Sequence, residues 1–215
     1  MKLAVFDLDG TLVNSLADIA DASNYAMSRL GLPEHELSKF NYFVGDGVKK
    51  LIERVLPSNK QDKLDIALKY YNEYYDKHYT IKTYVYDGIK EILEELKKNG
   101  VLLAVASNKT HEFAENVIHH YFGDNIFSVI CGKSEIRPVK PDPAIIMDII
   151  TKLKADKEDC FMIGDTSIDI NTGKNAGIKT IGCLWGFRTR EELVRTGADF
   201  IAEKPCDILK YIFGV

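Results

Sequence analysis

The fold is decided by the stretch Val5-Phe6-Asp7-Leu8-Asp9-Gly10-Thr11-Leu12, in which an apolar run ends in two carboxylates and a glycine turn. The run begins at Leu3 and is continuously apolar, which is typical of a strand buried on both faces. Asp7 and Asp9 are two residues apart, so in an extended chain both side chains leave the same face at the strand's carboxyl end. Ligands of open α/β sheets bind at that end. The stretch therefore predicts the first strand of such a sheet, with an acidic site at its end.

Two carboxylates at this place are suited to phosphoryl transfer. One carboxylate can attack phosphorus and carry the group as an aspartyl phosphate. The other can give a proton to the leaving oxygen and take one from water. The alternative is an acidic turn that merely closes a strand, and for an isolated Asp-x-Asp-Gly this alternative is the more common one. Three later segments favour the functional interpretation.

The first segment is Gly164-Asp165-Thr166-Ser167-Ile168-Asp169, which follows a second apolar run. Mg²⁺ is usually held by one or two carboxylates together with phosphate and water. Asp7 and Asp165 are therefore candidate ligands, with the Asp9 carbonyl as a third. Asp169 is expected in the first turn of the next helix, where an acid is favoured. Helix capping and support of the metal site are equally good roles for it.

The second and third segments supply a cation and hydrogen-bond donors. Lys140 lies between prolines in a stiff loop, where it can act as a fixed positive charge beside carboxylates and phosphate. Asp142 is expected to cap a helix that begins at Pro143. Ser107 and Asn108 follow another apolar run, where a hydroxyl and free backbone N–H groups can cradle phosphate. Loop lysines and Ser-Asn turns are individually weak signals, so their combination carries the argument.

Together these four motifs, in this order, resemble the phosphatases of the haloacid dehalogenase superfamily with a helical cap. The resemblance runs from Lys2 to about Trp185. It implies that Asp7 is the nucleophile, Asp9 the acid/base and Mg²⁺ the cofactor. It also implies that the phosphoryl group is held by Thr11, Ser107, Asn108 and Lys140.

The pattern along the chain predicts the α/β class: a doubly wound parallel sheet with an inserted helical cap domain. Predicted strands are 2–6, 101–106, 126–131, 159–164, 179–184 and 199–201. Predicted helices between and after them are 88–99, 110–121, 143–153, 167–176, 190–196 and 206–213. We expect a catalytic core of residues 1–13 and 84–215, and a cap of residues 14–83 that shows no strand pattern.

The cap is predicted to contain a helix at 16–30, a second after Gly47 and a third near 60–78. Tyrosines at three- and four-residue spacing mark one face of the third helix, which indicates packing within the cap rather than an aromatic platform for nucleic acid. The loop around Gly45 resembles that of phosphoglycolate phosphatase-like members, with Lys49 as a nearby cation. An ordinary helix start with exposed lysines is an equal alternative. Asn14 stands where many relatives have Asp, so we name Asn14, Gly45 and Lys49 as candidate specificity residues.

Composition excludes several classes of function. The 215-residue chain has a net charge of −4, which is not the footprint of a nucleic-acid-binding protein. No stretch approaches the roughly 20 apolar residues of a membrane span, and the amino terminus enters a strand directly. Four dispersed cysteines without a Cys-x-x-Cys pair are expected to be reduced. We therefore expect a cytoplasmic enzyme, monomeric or homodimeric, with no membrane or nucleic-acid partner.

These observations predict a Mg²⁺-dependent phosphatase that acts on a small phosphorylated metabolite, with phosphoglycolate-like substrates first. A phosphomutase that returns the phosphoryl group to a sugar uses the same chemistry and differs in its cap. A dehalogenase is disfavoured because Asp9 would have no task. A non-catalytic phospho-acceptor domain is a third alternative, in which both Asp9 and the cap would be superfluous.

Overall fold

The computed structural model describes residues 1–214 and contains a six-stranded sheet. Every neighbouring pair in this sheet is parallel, and the strand order is β5-β4-β1-β6-β7-β8. The strands are β1 (Leu3–Phe6), β2 (Val13–Asn14), β3 (Tyr84–Val85), β4 (Leu102–Thr110), β5 (Val129–Lys133), β6 (Cys160–Gly164), β7 (Lys179–Cys183) and β8 (Phe200–Ala202). The second and third of these form a separate antiparallel ribbon.

Helices connect the strands and cover both faces of the sheet. They are α1 (Leu16–Arg29), α2 (Leu37–Phe43), α3 (Val48–Val55), α4 (Leu64–His78), α5 (Ile89–Lys98), α6 (His111–Phe122), α7 (Ala144–Leu153), α8 (Ser167–Ala176), α9 (Arg190–Thr196) and α10 (Asp207–Phe213). Short 3₁₀ turns occupy Ser58–Lys63 and Lys157–Asp159. The predicted α/β class with a doubly wound parallel sheet is confirmed.

Strand β1 is buried on both faces because its side chains alternate between two apolar clusters. Ala4 and Phe6 pack with the cluster that includes α5, α6 and α10. Leu3 and Val5 pack with the cluster that includes α7 and α8. The central position of β1 brings Asp7 and Asp9 to the middle of the sheet's carboxyl edge.

Helices α1 to α4 lie between β2 and β3 and pack around an apolar cluster of their own. We call residues 14–83 the helical insertion; treating it as a separate cap domain with these limits stays a prediction. Its third predicted helix corresponds to α4, and the five tyrosines near that helix all belong to this cluster or pack against it. Phe187 and Phe113 join the cluster from outside the insertion.

Several boundaries differ from the prediction. Strand β5 begins at Val129 because Ile126 and Phe127 pack on the core without entering the ladder. Helix α2, which buries only Phe40, and the β2–β3 ribbon, at two residues per strand, are too small to leave a periodic signal. Within residues 1–214, no helix is long and apolar enough to cross a membrane.

Candidate active site

The site is built around the turn that follows β1. The Asp7 N–H donates to the Ile163 carbonyl at 2.8 Å, which continues the β1–β6 pairing beyond the strand. Gly10 adopts φ +94°, and a Cβ there would lie 2.4 Å from Asp165 Oδ2. Only glycine meets both conditions, since it tolerates positive φ and has no side chain. The turn therefore brings the chain directly against the end of β6.

Lys140 holds two buried carboxylates together. Its Nζ donates to Asp7 Oδ1 at 2.8 Å, to Asp169 Oδ1 at 2.6 Å and to the Ala106 carbonyl at 2.8 Å. Burial raises the pKa of Asp7 to about 7, against the opposing charge of Lys140. Burial alone would lower the pKa of Lys140, but Asp169 and Asp7 raise it above its usual value. The lysine is therefore a permanent cation beside Asp7.

Asp165 is fully buried beside this group. Its Oδ2 accepts the Phe187 N–H at 2.7 Å and its Oδ1 accepts the Thr11 hydroxyl at 3.1 Å. Burial, followed by the charges of Asp169 and Asp7, raises the pKa of Asp165 well above its usual value. Asp7, Asp165 and Asp169 each offer an oxygen within 4.8 Å of the others. A cation bound among these oxygens would favour the charged forms of the carboxylates, which burial disfavours.

Asp169 caps its helix and also accepts a hydrogen bond from Lys140. It forms a capping box with Thr166, whose N–H and hydroxyl donate to Asp169 Oδ2 at 3.1 and 2.7 Å. Its other oxygen accepts Lys140. The cap thus fixes the carboxylate that holds the lysine in place. The neighbouring helix α7 begins at Ala144, one residue later than predicted, and the Ala144 N–H donates to Asp142 Oδ1 at 2.9 Å.

The Asp9 side chain turns away from the carboxylate cluster. It accepts the Ser15 hydroxyl at 2.6 Å and the Lys109 Nζ at 2.9 and 2.8 Å on its two oxygens. The Lys109 side chain is 7% exposed, and its Nζ lies 5.1 Å from the centre of the Tyr75 ring in α4. Sequence reasoning missed Lys109, although the residue follows directly on Ser107-Asn108 at the end of a strand.

A cavity lies between the carboxyl edge of the sheet and the helical insertion. The space within it that is open to the centre of a water molecule is about 60 Å³. Asp7, Asp9, Ser107 and Lys109 line its floor. The insertion contributes a largely apolar roof that includes Ile19, Val44, Val48, Leu51, Tyr71 and Tyr75.

The other predicted phosphate-binding residues differ in whether their side chains have a hydrogen-bond donor left for a ligand. Ser107 Oγ accepts the Lys109 N–H at 3.2 Å, which leaves its own hydroxyl hydrogen available. The Asn108 amide donates to the Gly45 carbonyl at 3.0 Å and the Lys140 carbonyl at 3.1 Å, and accepts the Lys140 N–H at 2.8 Å. Thr11 is occupied with Asp165. Asn108 and Thr11 thus brace the site through their side chains.

Comparison with known proteins assigns this arrangement to a family. The family model described as haloacid dehalogenase-like hydrolase matches residues 4–183. The chain belongs to the haloacid dehalogenase-like hydrolases. It is 33% identical over 214 residues to a phosphoglycolate phosphatase of Aquifex aeolicus, covering 98% of this chain and 96% of that one. A phosphoglycolate phosphatase of Psychrobacter arcticus is 30% identical over 200 residues, or 89% of this chain and 87% of the relative.

A solved structure agrees over the whole length. The crystal structure of a predicted phosphoglycolate phosphatase from Haemophilus somnus superimposes with a TM-score of 0.91 at 29% identity, covering 98% of this chain and 97% of that one. The fold, the acidic cluster and these relatives together identify the protein as a phosphoric monoester hydrolase.

The candidate specificity residues of this haloacid dehalogenase-like hydrolase do not share one location. Gly45 lines the cavity. Asn14 lies in the ribbon, where it donates to the Tyr84 hydroxyl at 3.0 Å and accepts the Leu16 N–H at 3.2 Å. Lys49 is exposed and does not line the cavity. Val48 and Leu51 of α3 line it instead, because residues three apart share a helix face while Lys49 and Lys50 between them point elsewhere.

Proposed function

We propose that this phosphatase hydrolyses a compact phosphate monoester that carries a carboxylate, of the phosphoglycolate kind. We further propose that it uses Mg²⁺, forms an aspartyl phosphate on Asp7 and works in the cytoplasm. One observation carries the proposal. Asp7 is paired with Lys140 and lines the same small cavity as Asp9, whose own partner is a second lysine.

The carboxylate cluster supports a divalent cation. Asp7 and Asp165 would hold the ion, with the Asp9 carbonyl as the third protein ligand, and oxygen donors are what Mg²⁺ prefers. Gly10 and Gly186 leave room around Asp165, since a Cβ at either position would come within 2.5 Å of its side chain or of Gly10 O. When bound, the ion would supply positive charge that lets an anionic nucleophile meet an anionic ester.

The chain's own residues account for the remaining chemistry. An oxygen of Asp7 attacks phosphorus, and the bond from phosphorus to the leaving alcohol breaks as Asp9 gives that alcohol its proton. Asp9 then takes a proton from water, whose oxygen attacks phosphorus and releases phosphate and the Asp7 carboxylate. Lys140 keeps Asp7 oriented throughout, and the free hydroxyl hydrogen of Ser107 is available to a phosphoryl oxygen.

The phosphomutase alternative receives less support from the cavity. A sugar phosphate presents several hydroxyl groups, and each would need a polar partner once it is buried. The insertion contributes mainly apolar side chains to the lining, with Asn72 and the hydroxyl groups of Tyr71 and Tyr75 as polar exceptions. A short substrate with one further charged group suits this lining better. The phospho-acceptor alternative leaves the cavity and the Asp9–Lys109 pair without a purpose.

Two measurements test the proposal. A panel of small phosphate esters, assayed by phosphate release with Mg²⁺ present, should give its highest kcat/KM with compact carboxylate-bearing members. Acid quenching during turnover should trap a phosphoenzyme that hydroxylamine cleaves, as expected for an acyl phosphate. A preferred substrate that returned its phosphoryl group at a new position of a sugar would move the assignment to a mutase. Turnover at full rate without any trapped phosphoenzyme would remove Asp7 as the nucleophile.

A further inference from the structure

Lys109 is the single cationic side chain that lines the cavity among residues 1–214. Lys140 is tied to Asp7, Asp169 and a backbone carbonyl and does not line the cavity. Arg188 is held by the Val44 carbonyl and Glu192 and also lies outside the lining. A second negative group on a substrate would therefore find one positive partner in the cavity, and that partner is Lys109.

The surroundings of Lys109 make its charge effective. The side chain is 7% exposed and the carboxylate of its partner Asp9 is 13% exposed, so solvent screens the pair only weakly. The ring of Tyr75 lies next to Nζ and belongs to the helical insertion. The Tyr75 hydroxyl is buried and has no hydrogen-bond partner, which leaves one polar group of the roof unsatisfied.

The present partner of Lys109 is the second reason to assign it a role. Both of its short contacts go to the two oxygens of one carboxylate, Asp9. An ammonium that binds one carboxylate in this way can bind another of the same shape. Asp9 is the proposed proton donor to the leaving oxygen, so its contact with Lys109 places this ammonium close to where the leaving group would lie.

We propose that Lys109 is the residue that binds the substrate's carboxylate, and that this carboxylate replaces the Asp9 carboxylate as the partner of the Lys109 ammonium. This inference rests on the proposed function, because it needs a leaving group with a carboxylate. Binding exchanges one ion pair for another at Lys109 and frees the Asp9 side chain to face the leaving oxygen. An ester without the carboxylate leaves Lys109 on Asp9 and is a poorer substrate even where it enters the cavity.

The test compares two esters that differ in one group, 2-phosphoglycolate and 2-hydroxyethyl phosphate. For the wild-type enzyme, kcat/KM should favour the carboxylate-bearing ester by roughly 100-fold, the size expected for a buried charge pair. Lys109→Met should bring this ratio to near 1, because Met keeps the length of the side chain and removes its charge. Lys109→Arg should keep much of the preference, and it serves as the test if Lys109→Met does not fold, as judged by circular dichroism.

Two lysines of the insertion provide controls for Lys109, which lies in β4. Lys69 is exposed on α4, the helix that carries Tyr75, so Lys69→Met should leave the ratio as in wild type. Lys49→Met tests the competing cation of the insertion. A ratio that persisted in Lys109→Met, or that collapsed in Lys49→Met instead, would overturn the role of Lys109 while leaving the proposed function standing. A wild-type enzyme that turned over both esters equally well would overturn the proposed substrate class and this inference together.

Discussion

At the scale of single residues, the site depends on how buried charges are balanced. Burying a carboxylate without a partner is costly, and Asp7, Asp165 and Asp169 are buried together. Lys140 offsets two of them through direct contacts. Hydrogen bonds from Thr11 and Phe187 serve the remaining one. This balance means that a neutral side chain at one carboxylate position can be tolerated by the fold while its chemistry is lost.

Asp7→Asn should therefore abolish phosphate release from p-nitrophenyl phosphate while the protein stays folded. The amide cannot act as the nucleophile, and Lys140 keeps its contact with Asp169. The measurement is phosphate release under saturating Mg²⁺ together with a thermal melt. Asp62→Asn, at an exposed acidic residue of the insertion, should behave as wild type in both assays. Turnover near the wild-type rate in Asp7→Asn would place the nucleophile elsewhere.

The sequence predicts candidate residues at strand ends and in a stiff loop, but it does not assign a role to Lys109. Asp7 and Asp165 stand at the ends of two neighbouring strands, so the sheet brings them together, and the stiff loop brings Lys140 to Asp7. The role of Lys109 depends on a partner 100 residues away in sequence and on a tyrosine of the insertion. No spacing within its own segment encodes either contact.

At the scale of elements, the turn after β1 packs its backbone at Gly10 directly against the Asp165 side chain. Gly10→Ala should disrupt the site because its Cβ would meet Asp165 at 2.4 Å. Gly31→Ala is the matched control, since Gly31 also has positive φ but nothing within 4 Å of its Cβ position. Both variants should lose about 1–2 kcal/mol of stability from backbone strain.

Gly10→Ala alone should also raise the Mg²⁺ concentration needed for half-maximal activity. The increase should be roughly tenfold or more, because the new Cβ displaces Asp165, a proposed metal ligand. The measurement is a Mg²⁺ titration of phosphatase activity after removal of metal with EDTA. If both glycine variants titrated alike, the position of Asp165 would not control the metal requirement.

The start of α1 is fastened to the segment that leads into β3. Asp18 is buried, and its carboxylate accepts the N–H groups of Lys82 and Thr83 and the Thr83 hydroxyl, at 2.7 to 3.0 Å. These bonds hold together the two segments through which the chain enters and leaves the insertion, beside the β2–β3 ribbon. No local sequence pattern indicates this contact, because the partners are 64 and 65 residues apart.

Asp18→Ala should destabilise the protein by about 2–3 kcal/mol, because it leaves buried N–H groups without an acceptor. Asp21→Ala is the control: Asp21 pairs with the Lys82 ammonium, but its side chain is 35% exposed, so the loss should stay below about 1 kcal/mol. The comparison is the urea midpoint of the two variants at equal slope. Equal losses would show that the buried contact adds nothing beyond an exposed ion pair.

At the scale of the whole molecule, the helical insertion is joined to the sheet through a small number of polar contacts over the cavity. The Asn108 amide reaches the Gly45 carbonyl and the Arg188 guanidinium reaches the Val44 carbonyl, both at 3.0 Å. Arg188 also lies over the Tyr42 ring at 5.1 Å. The predicted alternation of strands and helices was enough to anticipate the sheet, but these contacts bring together residues whose distance in sequence hides their relation.

Arg188→Ala should loosen the closed arrangement without disturbing the sheet. The side chain is 8% exposed and supplies a charged hydrogen bond to the insertion, a contact worth about 1.5–3 kcal/mol. Backbone amides of residues 45–51 should therefore exchange with deuterium at least tenfold faster, while amides of β1 and β6 keep their protection. KM for small phosphate esters should rise by a similar factor, since more of the protein would be in an open form.

Arg190→Ala, which removes a guanidinium that is 46% exposed and pairs with Glu203, should change neither quantity. Unchanged exchange at residues 45–51 in Arg188→Ala would mean that packing of the apolar roof alone keeps the insertion closed over the site.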